Sequence, residues 1–347
     1  MSVPTVTKTW ILSSKPSGAI QSDTFKLEEK PIPELKDGEV LLKTIAFSND
    51  PAQRTWIQKG ATKERAYAAC PDEGDPMSSA LMGEVVATKS TKWKEGNKAV
   101  ALASWSEYVI VDANGLQPAV QIEGQSESIS LSSLGLVAMT AWCGLTQVGK
   151  LTKENAADSV VVISGAAGAT GSAAVQIAKK ILGCKTVIGI AGGAEKCNWV
   201  KQLGADECLD YKNSTFAADL IKATPKFVSH YFDNVGGEIL NQMFPRMGRF
   251  SRIIACGAIS SYNSRENNLS NFFEVVAMRI TIQGFIVTDF LSVWGDASEQ
   301  LTKAIKEGKF STEGAETKVP ASFEEVPQVW QRLFVGGNQG KLITQLK

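Results

Sequence analysis

Histidine is nearly absent: His230 is the only one in 347 residues. A zinc site built on several imidazoles cannot be assembled, and a Ser-His-Asp or Cys-His centre would have to use that one ring. Paired cysteines are missing as well. Cys70, Cys143, Cys184, Cys197, Cys208 and Cys256 are never closer than 11 positions, so there is no C-x-x-C pair, and the pattern reads as neither a zinc knuckle nor a disulfide framework. Scattered thiols suit a reducing compartment. Neither sign of charge is in excess. Lys+Arg number 36 and Asp+Glu 36, for a formal net charge of zero, which argues against a chain built to grip nucleic acid or acidic lipid. Met1–Lys15 has no apolar core and small-residue cleavage site of a signal peptide. Two uncharged stretches, Ser128–Gly149 and Ser159–Ala178, are broken by Gly, Ser and Thr and do not read as membrane spans. The expected address is the cytosol, with no membrane or nucleic-acid partner.

Composition is that of an ordinary globular protein, 44% hydrophobic and 21% charged, and the length suggests two domains. The first part, to about residue 125, reads as β-rich and turn-rich. Val40–Ile45, Leu81–Thr88, Lys98–Leu102 and Tyr108–Val111 are short strand-like runs punctuated by Pro and Gly. Beyond Leu131 the pattern changes. Val160–Ser164, Thr186–Ala191, Glu207–Tyr211, Phe227–Phe232, Ile253–Cys256 and Ile280–Val287 are six strand candidates. Helical stretches alternate with them. In Ala169–Leu182, for example, Ala174, Ile177, Ala178 and Ile181 form one apolar face. That alternation predicts an α/β fold with a doubly wound parallel sheet of Rossmann type. The tail offers a helix, Phe323–Phe334, and a strand, Lys341–Leu346, and is expected to return to the first domain.

The first strand-to-helix turn is Gly165-Ala166-Ala167-Gly168-Ala169-Thr170-Gly171. Against G-x-G-x-x-G it has Ala166, Gly168 and Gly171. Gly168 lets the backbone approach a pyrophosphate, and Gly171 lets helix and strand pack closely. The helix start offers unpaired N–H groups and the positive dipole end. A dinucleotide site is therefore expected at Gly168, Ala169, Thr170 and Gly171. An NAD-selective site would carry an acid at the end of the second strand. The chain has Ala191-Gly192-Gly193-Ala194 there, then Glu195 and Lys196. Without the carboxylate a 2′-phosphate meets no repulsion, and Lys196 supplies attraction. NADP(H) is the expected cofactor.

The blocks Gly165–Gly171, Gly192–Lys196, Asp210-Tyr211-Lys212, Tyr231–Gly237 and Cys256–Ser260, with Thr140-Ala141-Trp142-Cys143-Gly144-Leu145, resemble the zinc-independent medium-chain reductases. The branch is that of the prostaglandin reductases and alkenal double-bond reductases. The resemblance implies a discontinuous GroES-like β-rich catalytic domain (residues 1–128 and 305–347) and a Rossmann NADP-binding domain (129–304). It implies NADPH-dependent reduction of the C=C bond of α,β-unsaturated aldehydes and ketones, and a homodimer. Carried over by motif, Lys196 and Tyr211 would contact the 2′-phosphate. Asn234 and Cys256, Gly257, Ala258, Ile259 and Ser260 would line the ribose and nicotinamide. Phe285, Ile286 and Val287 would meet the carboxamide, and Asn338 would reach over from the tail. The family's N-D-P-Y-M-R stretch is Asn49-Asp50-Pro51-Ala52-Gln53-Arg54 here. Asn49, Ala52, Trp56 and Tyr262 are the pocket candidates; Ala52 stands in place of an aromatic, which leaves either a wider pocket or a space filled by Trp56 or Tyr67.

Hydride addition to a conjugated carbonyl leaves an enolate. The protein must give its oxygen a hydrogen bond and its α carbon a proton. Tyr262 is the candidate catalytic residue. A phenol stays protonated at neutral pH, and Tyr262 lies just past the fifth strand of the sheet. It would polarise the carbonyl or order the ribose. His230 reads as structural, Cys256 as an inert thiol beside the cofactor, and Lys341 as a surface lysine. Quinone or carbonyl reduction on the same scaffold is the alternative reading, a non-catalytic NADPH-binding protein a further one. A hydrolase on Ser164 and His230 lacks the G-x-S-x-G elbow.

Overall fold

A computed structural model describes residues 4–68, 70–264 and 268–347. The chain divides into two units. One runs to Leu131 and resumes at Thr317–Lys347; the other is Ser132–Glu316. The first unit opens with β1 (Val6–Leu12), β2 (Phe25–Pro31) and β3 (Glu39–Ser48), followed by the single-turn helix α1 (Gln53–Trp56). Next come β4 (Ser78–Thr88), β5 (Lys98–Ser104), β6 (Tyr108–Asp112) and β7 (Gln117–Pro118). The second unit carries α2 (Leu136–Cys143), α3 (Lys153–Ala156), β8 (Val160–Ser164), α4 (Ala169–Gln176), β9 (Thr186–Ala191), α5 (Ala194–Gln202) and β10 (Glu207–Asp210). It continues with α6 (Phe216–Ala223), β11 (Val228–Asp233), α7 (Gly237–Met243), β12 (Met247–Ala255), α8 (Glu274–Met278), β13 (Thr281–Gly284) and α9 (Trp294–Lys306). The tail is β14 (Glu316–Ala321), α10 (Val326–Gln331) and β15 (Lys341–Leu346).

The N-terminal part is β-rich. Its main sheet runs β14-β15-β3-β4-β5-β7, with β6 also pairing β3, and β1 and β2 form a separate antiparallel pair. Trp105 and Trp330, both fully buried, meet edge-on at 5.8 Å between centroids, with Phe25 against each. Rings packed this way dominate a core of modest size. The β1–β2 pair is absent from the sequence reading for a physical reason. The inward positions of β1 include Thr7 and Thr9, not aliphatic residues alone. Thr7 Oγ1 donates to the Tyr108 carbonyl at 3.0 Å, and Thr9 Oγ1 lies 2.8 Å from Ser106 Oγ. Hydroxyls satisfied in this way bury without leaving an apolar alternation to read.

The second unit is a six-stranded parallel sheet in the order β10-β9-β8-β11-β12-β13. Strands β8 and β9 are rich in Val and Ile, as suits strands covered on both faces. Order reverses between β8 and β11, the switch point at which such sheets bind ligands. Some boundaries differ from the sequence reading. β12 starts at Met247, well before Ile253, because Phe250 at φ +60° sits exposed in its first half and hides the strand pattern. β13 stops at Gly284, after which Phe285–Val287 turns into a short helix.

Candidate active site

After Ser164 the chain turns through Gly165, at φ +58°. The Ala166 N–H donates to the Ile190 carbonyl at 3.0 Å, which ties the turn to β9. Gly168 is the N-cap of α4, so the amides of Ala169, Thr170 and Gly171 precede the first intrahelical bonds and face outward with the dipole's positive end. A Cβ on Gly171 would collide with the Gly165 carbonyl and stand 2.8 Å from Ala166 Cα. The turn closes only on a bare backbone, and that leaves a cradle of amides for a phosphate.

Past β9, a Cβ on Gly192 would meet the Tyr211 ring at 2.8 Å and Lys212 Cε at 3.0 Å. Asp210 Oδ1 accepts the N–H of Gly193 at 2.9 Å and of Lys212 at 3.0 Å, which joins the two strand ends. Burial, then the charge of Lys212, pulls the Lys196 ammonium below its ordinary pKa. Two ammonium groups near enough to repel each other, beside an aromatic ring and a bare glycine, suit a dianionic phosphate. Sequence reasoning named Lys196 and Tyr211 but gave Lys212 no role. The signal was its adjacency to Tyr211 at the end of β10.

Across the switch point the loops after β11 and β12 zip together. The Ile259 N–H donates to the Asn234 carbonyl at 3.3 Å, and the Ser260 N–H and Oγ donate to the Val235 carbonyl at 3.1 and 2.7 Å. Asn234 Nδ2 donates to the Ser164 carbonyl at 2.7 Å, so its side chain bridges from β11 to β8. Cys256 and Gly257 donate their N–H groups to the Asp233 carbonyl at 2.9 and 3.0 Å. Burial pushes the Cys256 thiol up to about 12, which keeps it un-ionised. Tyr262 folds back on this loop, its phenol oxygen accepting the Ala258 N–H at 3.3 Å. Phe285 lies against α2's end: a Cβ on Gly144 would touch its ring at 2.9 Å. Ile286 is half-buried and Val287 buried. The structure thus gathers the Gly165–Gly171, Asn234, Cys256–Tyr262 and Phe285–Val287 segments along the C-terminal ends of β8, β11, β12 and β13.

The remaining candidates lie in the first unit. Asn49 is buried, donating Nδ2 to Thr344 Oγ1 at 2.9 Å and its N–H to the Leu342 carbonyl at 3.1 Å. Ala52 is the N-cap of α1, and half-buried Trp56 has Nε1 3.3 Å from the Tyr67 hydroxyl. Asn338 Nδ2 donates to the Gly340 carbonyl at 2.9 Å. Lys341 corrects the sequence reading. It is not a surface lysine but 2% exposed, and its ammonium donates to the Asn49 carbonyl at 3.0 Å and pairs with Asp50. An open groove of about 530 Å³ beside Trp93 lies elsewhere in this unit. Its lysines are already engaged, Lys92 with Asn114 and Lys98 with Glu127. Among the described residues no group of three or more His, Cys, Asp or Glu is placed to hold a metal.

A parallel sheet with this strand order, opened at its switch point by an amide cradle, defines a dinucleotide-binding α/β protein. Residues 8–119 match the family described as the N-terminal domain of oxidoreductase, and residues 169–306 the one described as zinc-binding dehydrogenase. The NADPH-dependent curcumin reductase of Escherichia coli is 32% identical over 97% of this chain and 96% of its own. Prostaglandin reductase 1 of Rattus norvegicus is 33% identical over 97% and 98%. The crystal structure of CurA from Vibrio vulnificus in complex with NADPH superposes with a TM-score of 0.87 at 30% identity, over 98% of this chain and 99% of that one. The chain belongs to the zinc-independent medium-chain dehydrogenase/reductase superfamily and is an NADP(H)-dependent oxidoreductase.

Proposed function

We propose that the protein reduces the C=C bond of α,β-unsaturated aldehydes and ketones. The observation that carries the proposal is Tyr262, whose phenol lies at the C-terminal end of the sheet on the loop after β12, against the Ala258 N–H. The amide cradle and the Lys196–Lys212–Tyr211 cluster suit the phosphates of NADPH, which when bound supplies the hydride. Tyr262 hydrogen-bonds the carbonyl oxygen as negative charge moves onto it, or orders the donor that does. The loops Asn234–Gly237 and Cys256–Ser261 fix one another and hold this edge still. We take the first unit, which carries Asn49, Ala52, Trp56 and Asn338, to be the catalytic domain, and the second to be the cofactor domain. The relatives' names, curcumin and prostaglandin reductase, support an unsaturated carbonyl as the substrate class. We further propose a homodimer in the cytosol; the six cysteines are free thiols, and no described helix is long and apolar enough to cross a membrane.

The test is a panel of short enals, enones and quinones, following NADPH loss and product identity, with NADH as the paired control. Saturated carbonyls formed with NADPH and only weakly with NADH are expected. Tyr262→Phe should lose on the order of 10–10³-fold in turnover. Allylic alcohols or hydroquinones as the products would replace the proposal, and equal use of NADH would overturn the role of Lys196.

A further inference from the structure

Asp233 ends β11, at the switch point, and is 3% exposed. One of its oxygens, Oδ1, collects four donors: Tyr231 Oη at 2.9 Å, Ser164 Oγ at 3.0 Å, and the N–H groups of Val235 at 3.1 Å and Gly236 at 2.9 Å. Four donors converging on a single oxygen is the environment of a carboxylate anion. Burial, the strongest influence, raises its pKa against the pull of these four bonds, and no cation of the described residues stands among the main groups acting on it. Tyr231 cannot share the charge, because burial first, and Asp233 next, push its phenol well above the ordinary value.

A buried anion with no counter-ion among the described residues is costly, and its location is odd for a protein that binds a polyanionic cofactor. Strand order resolves the oddity. Gly192, Lys196, Tyr211 and Lys212 stand at the ends of β9 and β10, on the β8 side of the switch point, so the adenosine 2′-phosphate belongs there. The nicotinamide half must then extend over β11, β12 and β13. The two forms of the cofactor share every phosphate and differ by one positive charge, on the oxidised ring. The field of Asp233 acts on the phosphates equally in both forms and on the ring in only one.

We infer that Asp233 is a built-in electrostatic bias that tightens NADP+ relative to NADPH and so favours hydride donation by the bound cofactor. It acts through space, without touching the ring. The inference rests on the NADP(H) assignment and not on the identity of the substrate. Unit charges about 10 Å apart at an effective dielectric near 20 shift an equilibrium by roughly tenfold.

The experiment is calorimetric titration of the native chain and Asp233→Asn with NADPH, NADP+ and 2′-phospho-ADP-ribose, which has no nicotinamide. In Asp233→Asn, NADP+ should weaken roughly tenfold relative to NADPH, and the ringless compound should follow NADPH. Equal weakening of all three would mean that Asp233 only shapes the loop, and no change in the NADP+/NADPH ratio would overturn the inference outright. Titration of the native chain tests the same bias without requiring the variant to fold. NADP+ should bind at least as tightly as NADPH, and NADPH binding roughly tenfold or more tightly would overturn the bias.

Discussion

His230 is held between two oxygens. Nδ1 lies 2.9 Å from Ser229 Oγ and Nε2 3.0 Å from the Gly149 carbonyl. Burial lowers its pKa to about 4, against the Gly149 bond, which raises it, and with help from Arg252. The ring is therefore neutral when folded and takes a proton near pH 6.5 when unfolded. Between those values the unfolded chain binds the extra proton. The stabilisation is thus complete above about pH 6.5 and is lost as pH falls towards 4, by up to about 3 kcal/mol. Urea denaturation of the native chain should show that loss, and His230→Gln should flatten the profile across the same window. An unchanged slope in the variant would show that another group titrates there. Other residues behave less legibly. Lys212 shows its part only when β9 and β10 align, since a lysine after a strand reads as solvated until its neighbours are placed. Asp233 sits inside a recognisable motif, yet the convergence of four donors on its Oδ1 is a fact of three dimensions.

At the scale of elements, β15 shows how far pattern reading reaches. The Lys341–Leu346 run was readable as a strand, and it pairs β3 with Ile343 opposite Ser48. The lysine that opens it was not readable as core, because its partner Asp50 lies 291 positions away in sequence. Strands β8 and β9 were far more legible, because strands buried on both faces run almost continuously apolar and the turn after β8 carries glycines. The β1–β2 pair, with threonines facing inward, left no such trace. Lys341, Asp50 and Asn49 clamp the segment before α1 to the C-terminal strand. Asp50 Oδ2 also accepts Ser48 Oγ at 2.5 Å, and the Asp50 carbonyl accepts Trp330 Nε1 at 3.1 Å. Removing one partner of a buried ion pair leaves an uncompensated charge, so Lys341→Met should cost about 3–5 kcal/mol. Adding Asp50→Asn should recover part of that loss. Additive losses in a denaturation double-mutant cycle would show that the two charges do not act as a pair.

At the scale of the whole molecule, the two edges of the parallel sheet are unlike. β10 carries Glu207 and Asp210, charges of the kind that protect an edge from pairing. β13 at the other edge is Thr-Ile-Gln-Gly, uncharged and exposed along its whole length, with Ile282 at 40%. Phe273 and Val276, at 74% and 63% exposure, add an uncovered apolar surface in and next to α8, the helix just before β13 in the chain. An unprotected edge invites a strand. A second copy offers the same one, and two-fold pairing of β13 with β13 would close the surface on itself. The proposed homodimer would then carry one twelve-stranded sheet. By sedimentation at micromolar concentration the native protein should run at twice its 37.2 kDa chain mass. Ile282→Asp sets like charges close together across the two-fold axis and should run as the single chain. Its affinity for 2′-phospho-ADP-ribose should be retained, because no residue of the amide cradle or the lysine cluster lies on β13. A native protein that sediments as a monomer, or a dimer untouched by Ile282→Asp, would move the interface off this edge.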